Sequence, residues 1–249
     1  LPVYLLAEIS RNSSKRPAWG FGEHRMDRQA WLADRRAAVV ADYDAEAPTY
    51  DINPYPADTQ EEWVARLVGM IPAGATVLDA PCGTGRYFAL ITGAGMRLVG
   101  VDQSAGMLAQ ARARNLASLL ERTSLQDLSY AAEFDAAVTI DAMENVPPED
   151  WPTVLANLRR AVRPGGLLYL TVEEVSDQRI GHAFEALTAR GLPALRGEII
   201  EGDVAGYHYY PGRDRVMGWF EAADLDVIDE DYSAEADWGY RHFLLRAPR

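Results

Sequence analysis

Apolar and polar positions follow two rhythms along this chain. Strands are expected near 76–80, 97–102, 122–126, 134–140 and 166–173, all but the third as short, largely apolar runs. Stretches with apolar residues three and four apart lie around and between them and predict helices. The first covers Asp27 to Tyr43, with Trp31, Leu32, Ala37, Val40 and Ala41 inward. Asp51-Ile52-Asn53-Pro54 breaks the chain. A second helix covers Thr59 to Met70, with Thr59 as its cap and Trp63, Leu67 and Met70 inward. Arg86 to Thr92 is a third. Ser104 caps a fourth that carries Met107, Leu108 and Ala111. Glu149 to Val162 places Trp151, Val154, Leu155, Leu158 and Val162 on one face and stops before Pro164-Gly165-Gly166. Strand and helix in alternation predict an α/β protein with a parallel sheet.

Beyond Glu173 the rhythm changes. Asp177 to Arg190 reads as a helix closed by Gly191, and Glu198–Glu201 and Gly206–Tyr210 as short strands joined around Gly202-Asp203. Asp214 to Ala223 is a helix with Val216, Trp219, Phe220 and Ala223 inward. Leu225 to Asp231 and Tyr240 to Leu245 then form a closing antiparallel pair. The first two dozen residues read as irregular, with Asn12-Ser13-Ser14 and Pro17 as breakers. No internal repeat interrupts this plan.

The most informative stretch joins the first strand to the helix after it: Ala80-Pro81-Cys82-Gly83-Thr84-Gly85. Gly83 and Gly85 let backbone approach a ligand closely, and the following helix turns free N–H groups toward it. Asp102 ends the second strand, where a carboxylate accepts hydrogen bonds from ribose hydroxyls. Together these are the plan of a nucleoside site.

With those residues in view, Val77-Leu78-Asp79-Ala80-Pro81-Cys82-Gly83-Thr84-Gly85 resembles the first motif of the class I S-adenosylmethionine (SAM) methyltransferases. Val101-Asp102-Gln103-Ser104 with Met107-Leu108 is similar to the second, Gln126-Asp127-Leu128 to the third, and Arg163-Pro164-Gly165-Gly166 to the turn before the fifth strand. The resemblance spans roughly Gly74 to Glu173. Pro81 stands where the family often has glycine, which stiffens the turn and removes one donor.

The resemblance implies a Rossmann-like, seven-stranded, mostly parallel sheet with a terminal antiparallel hairpin, N-terminal helices and an insertion after strand five. It implies a single domain over 1–249: an N-terminal helical or lid segment (1–70), a SAM-binding core (74–173), a substrate-side insertion (174–210), and a C-terminal helix and hairpin (211–249). It also implies roles. Asp79, Gly83 and Gly85 lie near the methionine end of SAM, Asp102 at the ribose, and Gln103 against the cofactor. Met107 packs on the adenine, and Asp127 and Leu128 meet its edge. Tyr50, from a Tyr-Asp pair matched less closely by Tyr43-Asp44, closes over the cofactor. S-adenosylhomocysteine (SAH) is the implied product.

The acceptor side is read from what stands at the same sheet edge. Ile140-Asp141-Ala142-Met143-Glu144 follows the fourth strand, the segment that faces the transferable methyl in the resembled family. Asp141 and Glu144 are the carboxylates placed to meet an acceptor. In Tyr207-His208-Tyr209-Tyr210 the strand period puts Tyr207 and Tyr209 on one side and His208 and Tyr210 on the other. One pair lines an aromatic substrate wall, with Tyr43 as a further wall residue, and His208 is the candidate base. A hydroxyl acceptor needs a base, His208 or Asp141. An amine needs mainly alignment and carboxylates. The sequence therefore predicts methylation of nitrogen or oxygen on a small biosynthetic intermediate, such as one in natural-product assembly, with nitrogen slightly favoured. A SAM-binding regulatory or scaffold protein is the alternative. An NAD(P)-dependent oxidoreductase is disfavoured, because Lys15 is the only lysine and no Tyr-x-x-x-Lys pair exists.

Composition narrows the partners. Across 249 residues the net charge is −13, which opposes nucleic acid; the basic cluster Arg11, Lys15, Arg16, Arg25, Arg28, Arg35 and Arg36 carries no recognised motif. Cys82 is the single cysteine, so no intrachain disulfide exists. No His/Cys cluster has metal-ligand spacing, and no run has transmembrane length. Leu1 to Ala7 is apolar without a basic region before it, which argues against a signal peptide. These features predict a cytoplasmic protein with a small-molecule partner, no metal, no membrane or nucleic-acid partner, and scope for homo-oligomers.

Overall fold

A computed structural model describes residues 26–52, 58–200, 206–234 and 238–249. In chain order its elements are α1 (Arg28–Glu46), α2 (Asp58–Gly69), β1 (Thr76–Asp79), α3 (Phe88–Gly93), β2 (Arg97–Asp102), α4 (Ala105–Arg114), β3 (Leu119–Arg122), β4 (Phe134–Thr139), α5 (Trp151–Ala161), β5 (Val162–Val175), α6 (Asp177–Ala189), β6 (Glu198–Ile200), β7 (Tyr207–Tyr209), α7 (Arg213–Ala222), β8 (Asp226–Ala234) and β9 (Trp238–Arg246). The main sheet runs β3-β2-β1-β4-β5-β9-β8. Its first five strands are parallel, and β9 inserts antiparallel between β5 and β8. This is the predicted seven-stranded plan. The pair β6–β7 forms a separate antiparallel sheet.

Strand alternation divides the core between the two sheet faces. Leu78, Ala137, Leu168 and Leu170 join Trp31, Trp151, Leu155 and Phe220 on one side. Val77, Ala136, Val138 and Tyr169 join Trp63, Leu67, Phe88 and Ile91 on the other. α1, α5 and α7 thus cover one face, and α2, α3 and α4 the other.

Several boundaries differ from expectation. β3 ends at Arg122, and 125–127 is one turn of 3₁₀ helix rather than strand. Its Leu119 and Leu120 are exposed and half-buried at the sheet edge, so the strand lacks an apolar run. α2 begins at Asp58, which places Thr59 inside the first turn, and Met70 lies exposed beyond its end. On α1 the third buried position is Val39, with Ala37 and Ala41 exposed. The Pro164-Gly165-Gly166 turn is absorbed into β5 as a bulge: Phe134 pairs with Val162, and the register then jumps to Ala136 with Leu167. Residues 1–25 and Gly202-Asp203, on which irregular chain and a strand connection were expected, lie outside the described residues.

Candidate functional site

A cleft enclosing about 960 Å³, including its open mouth, lies at the carboxyl ends of β1, β2 and β4. Open α/β sheets place ligands at this edge. Gly83 and Asp102 line it, with Gln103 and Met107 beside them and Tyr43 and Tyr50 across the mouth.

The floor is built locally. Gly83 and Gly85 have φ of 52° and 82°, in the left-handed region. A Cβ at Gly85 would sit 2.7 Å from the Phe88 ring, a buried core side chain. Asp102 locks this turn. Its Oδ2 accepts the Gly83 N–H at 2.9 Å and its Oδ1 accepts the Ser104 N–H at 2.8 Å. Each oxygen keeps a further lone pair for a ligand. Burial pushes the Asp102 carboxyl up, against the pull of these backbone donors. Ser104 caps α4 as expected, accepting the Met107 N–H at 3.0 Å.

The two Tyr-Asp pairs share one design. Tyr43 and Tyr50 meet edge to face across the cleft, with ring centroids 6.2 Å apart. Each neighbouring aspartate pins its segment to the cofactor-binding core. Asp44 accepts the Ser104 hydroxyl at 2.6 Å and the Gly106 N–H at 2.8 Å. Asp51 accepts the Thr84 hydroxyl at 3.0 Å and the Arg114 guanidinium at 2.8 Å. Burial pushes the Tyr50 hydroxyl up to about 12, with the Asp141 charge adding to it.

Asp141 lines the opposite wall. It has φ of 49°, uncommon for a residue with a side chain, and its N–H donates to the Thr171 hydroxyl at 2.9 Å. Burial raises its carboxyl; the Tyr240 hydroxyl hydrogen-bonds it and Arg86 faces it, both opposing that rise. Oδ1 of Asp141 is buried without a hydrogen-bond partner, as are Oδ2 of Asp79 and the Tyr87 hydroxyl. Burial, together with the Asp102 charge, pushes Asp79 well above the usual carboxylate range. Cys82 lines the cleft too, but burial raises its thiol and keeps it protonated.

Other expected site residues stand elsewhere. The loop after β3 presents Thr123 to Gln126 to the cleft. Asp127 is exposed and accepts the Ser124 hydroxyl at 2.7 Å, and Leu128 is buried in the core. Both are displaced from the wall because β3 ends before the expected strand does. Glu144 sits behind the wall, 6% exposed, with Oε1 accepting from Asn145 at 3.2 Å and Oε2 without a partner. Asp79 and Gly85 likewise back the wall rather than form it.

Tyr207 and Tyr209 are 1% exposed and belong to the core. Tyr207 donates to Glu198 at 2.7 Å and packs edge-on to Trp31, while the Tyr209 hydroxyl accepts from Arg215 at 2.5 Å. Tyr210 packs with Ile180 and Ile199, and its hydroxyl meets His208 Nδ1 at 3.2 Å. None of these four lines the cleft. Glu198 explains why: this fully buried carboxylate draws in Tyr207, the Leu195 N–H and Arg28, and so turns β7 toward α1. Missing from the expected set are Arg86, Tyr87, Gln126, Ile140 and Asn145, which do line the cleft. Arg86 and Tyr87 directly follow the glycine turn, a position that could have flagged them. Among the described residues, no group of three His, Cys, Asp or Glu side chains is spaced to hold a metal ion, and no helix is long and apolar enough to cross a membrane.

The family model described as "Methyltransferase domain" matches residues 77–166. A malonyl-[acyl-carrier protein] O-methyltransferase of Serratia marcescens is 34% identical over 155 residues, 60% of this chain and 58% of its own. The chain therefore spans less than two thirds of that relative. A ubiquinone biosynthesis O-methyltransferase of Xanthomonas oryzae pv. oryzae is 29% identical over 92% of both chains. Among solved structures, the Burkholderia thailandensis 1,6-didemethyltoxoflavin-N1-methyltransferase superposes with a TM-score of 0.61. It shares 18% identity and covers 90% of this chain and 92% of its own, a likeness of fold.

Proposed function

This chain belongs to the class I SAM-dependent methyltransferase family, and from that premise we propose that it transfers a methyl group from SAM to a nitrogen or oxygen of a small molecule. The observation that carries the reading is the Gly83–Asp102 lock at the carboxyl edge of the sheet, facing Asp141 across one cleft. The residues fit SAM. Asp102 has lone pairs left for ribose hydroxyls, and Met107 and Leu125 offer apolar surface to a base. The orphaned Asp79 oxygen suits an ammonium. When bound, SAM supplies a sulfonium-activated methyl group.

The chain's own work is to exclude water, align the acceptor and remove a proton. Tyr43 and Tyr50 cover the mouth. With α1 and the 174–210 insertion they form a lid in this reading. Asp141 orients the acceptor and takes the proton it gives up. Carboxylates at the wall, with His208 hydrogen-bonded to Tyr210 off the cleft, favour nitrogen over oxygen. The acceptor is a biosynthetic intermediate, and the protein works as a cytoplasmic enzyme.

The test is Asp141→Asn. SAH affinity by calorimetry should stay within a few-fold while turnover falls by roughly a hundred-fold, the range of a positioned acid–base group. Turnover per folded molecule equal to that of the wild type would remove Asp141 from the reaction. SAM binding without SAH formation across a panel of amines and phenols would instead favour a regulatory subunit.

A further inference from the structure

Behind Asp141 the fold gathers more acid than the cofactor can use. Glu144 follows it by three residues, and Glu173 comes from β5, where it pairs in register with Tyr240 of β9. Tyr240 in turn hydrogen-bonds Asp141. Two oxygens in this group, Asp141 Oδ1 and Glu144 Oε2, are buried without a partner. Glu144 is 94% buried, the complement of its 6% exposure. A buried polar atom with no partner is a deficit that a ligand donor corrects. The three acids are not spaced to converge on a metal ion.

We infer that Asp141 at the cleft wall, backed by Glu144, Glu173 and Tyr240, forms a subsite for a protonated amine, so that the acceptor enters the cleft as an ammonium ion. This rests on the methyl-transfer reading above and names its substrate class. An ammonium brings three donors and a positive charge, which matches two orphaned oxygens in an acidic surround. The cofactor's own ammonium has a separate candidate in Asp79, at the end of β1 beside the glycine turn. Tyr43 and Tyr87 add aromatic surface to the cleft, a surround that also suits a cation.

The charges around Glu144 give the proposal a second signature. Burial, Glu173 and Asp141 all push its carboxyl up, against the pull of a backbone hydrogen bond. Arg86 faces Asp141, and the hydroxyls of Tyr43 and Tyr50 also face this acid group. On the β7 side Tyr207 and Tyr209 turn to Glu198 and Arg215. Glu144 is therefore protonated more readily than an ordinary carboxylate in the free protein. An ammonium seated beside it favours the charged form, so its binding drives proton release to solvent and leaves a carboxylate–ammonium pair.

The experiment titrates phenethylamine, and its neutral isostere 2-phenylethanol, into the full chain saturated with SAH. Calorimetry in phosphate and in Tris separates binding heat from proton release. SAH binding is measured first; its absence would sink the cofactor reading itself. With SAH bound, phenethylamine should bind at least tenfold tighter than 2-phenylethanol and do so with net proton release. Glu144→Gln should abolish the proton release and weaken phenethylamine at least tenfold, with SAH affinity and melting temperature unchanged. Asp141→Asn should weaken the amine as well. Equal affinity for the two isosteres, or no amine binding to the SAH-loaded protein, overturns the subsite while methyl transfer stands. Weakened SAH rather than weakened amine in Glu144→Gln assigns the acids to the cofactor and also overturns it.

Discussion

His242 of β9 permits the sharpest quantitative test of the structure. Its ring is fully buried and stacks on Trp63 at a centroid distance of 5.7 Å. Nδ1 meets the Tyr169 hydroxyl and Nε2 the Ser233 hydroxyl, each at 2.8 Å. Both nitrogens are thus satisfied in the neutral ring. Burial pushes its pKa down to about 4, with Asp231 opposing weakly. In the unfolded chain it titrates at the ordinary value near 6.5. Between those values the unfolded state binds the extra proton, so folding stability falls as pH falls. From about pH 7 to about pH 5 the loss assigned to this one ring is about 2 kcal/mol, and it approaches about 3 kcal/mol at pH 4. Other acids titrate in the same range, so the quantity to measure is a difference. Urea unfolding of wild type and His242→Gln across this range should show the gap between them shrinking by about 2 kcal/mol as pH drops. A gap constant within about 0.5 kcal/mol would mean the ring takes up its proton as readily in the folded protein as in the unfolded chain, and would refute the burial argument.

Four further outcomes follow from the geometry. Asp102→Ala should weaken SAH by about tenfold or more, since bonds to a charged group are worth roughly 1.5–3 kcal/mol; unchanged calorimetric affinity in a folded variant would defeat the ribose assignment. Gly106→Ala should destabilise by about 1–3 kcal/mol despite alanine's better helix propensity, because its Cβ would lie 2.8 Å from the Asp44 carbonyl oxygen and 3.0 Å from its Cα; a raised melting temperature would show that α1 can yield there. Arg28→Ala should destabilise by about 3–5 kcal/mol, because it leaves the buried Glu198 without the guanidinium that binds it at 2.7 Å. If α1 and the insertion act together as a lid, hydrogen exchange in both should slow when SAH and an amine bind, and this variant should uncouple them; protection confined to the Gly83–Gly85 turn would count against a lid.

What the sequence discloses and what it hides divide along the range of the interactions. The cofactor turn was legible because its chemistry is local: Gly83, Gly85 and the Ser104 cap each act within a few residues, and Asp102 closes the next strand. The topology was legible because four apolar runs alternate with helical spacing, with a weaker third strand between them. The end of β3 is not legible, because it is an edge strand with little apolar signal, so the loop carrying Asp127 begins earlier than the sequence predicts. The tyrosines of β7 were read correctly as two alternating faces, but the strand period cannot say which face meets the core. That choice belongs to Glu198, which recruits Arg28 from 170 positions away in sequence. Tyr240 on Asp141, and Tyr169 and Ser233 on His242, were equally invisible, since they depend on β9 entering the sheet between β5 and β8.

That insertion of β9 bears on function as well as on fold. β5 and β9 pair over nine registered positions, from Leu167 with Arg246 to Val175 with Trp238. The far end of this ladder is where Glu173 meets Tyr240, next to the cleft; Thr171, from the same stretch of β5, receives the Asp141 N–H. The wall that holds Asp141 is therefore carried by paired strands, and rigid elements position groups more tightly than loops do. The mouth is different. Tyr43 and Tyr50 hang on α1 and the turn after it, tied down by Asp44 and Asp51 through side-chain bonds. Such contacts can open without breaking the sheet. In the proposed methyl transfer, a rigid acidic wall and an aromatic cover that opens divide the labour. The acceptor must be held in line within about 3–3.5 Å of the methyl, yet both products must leave, and only the cover has to move for that.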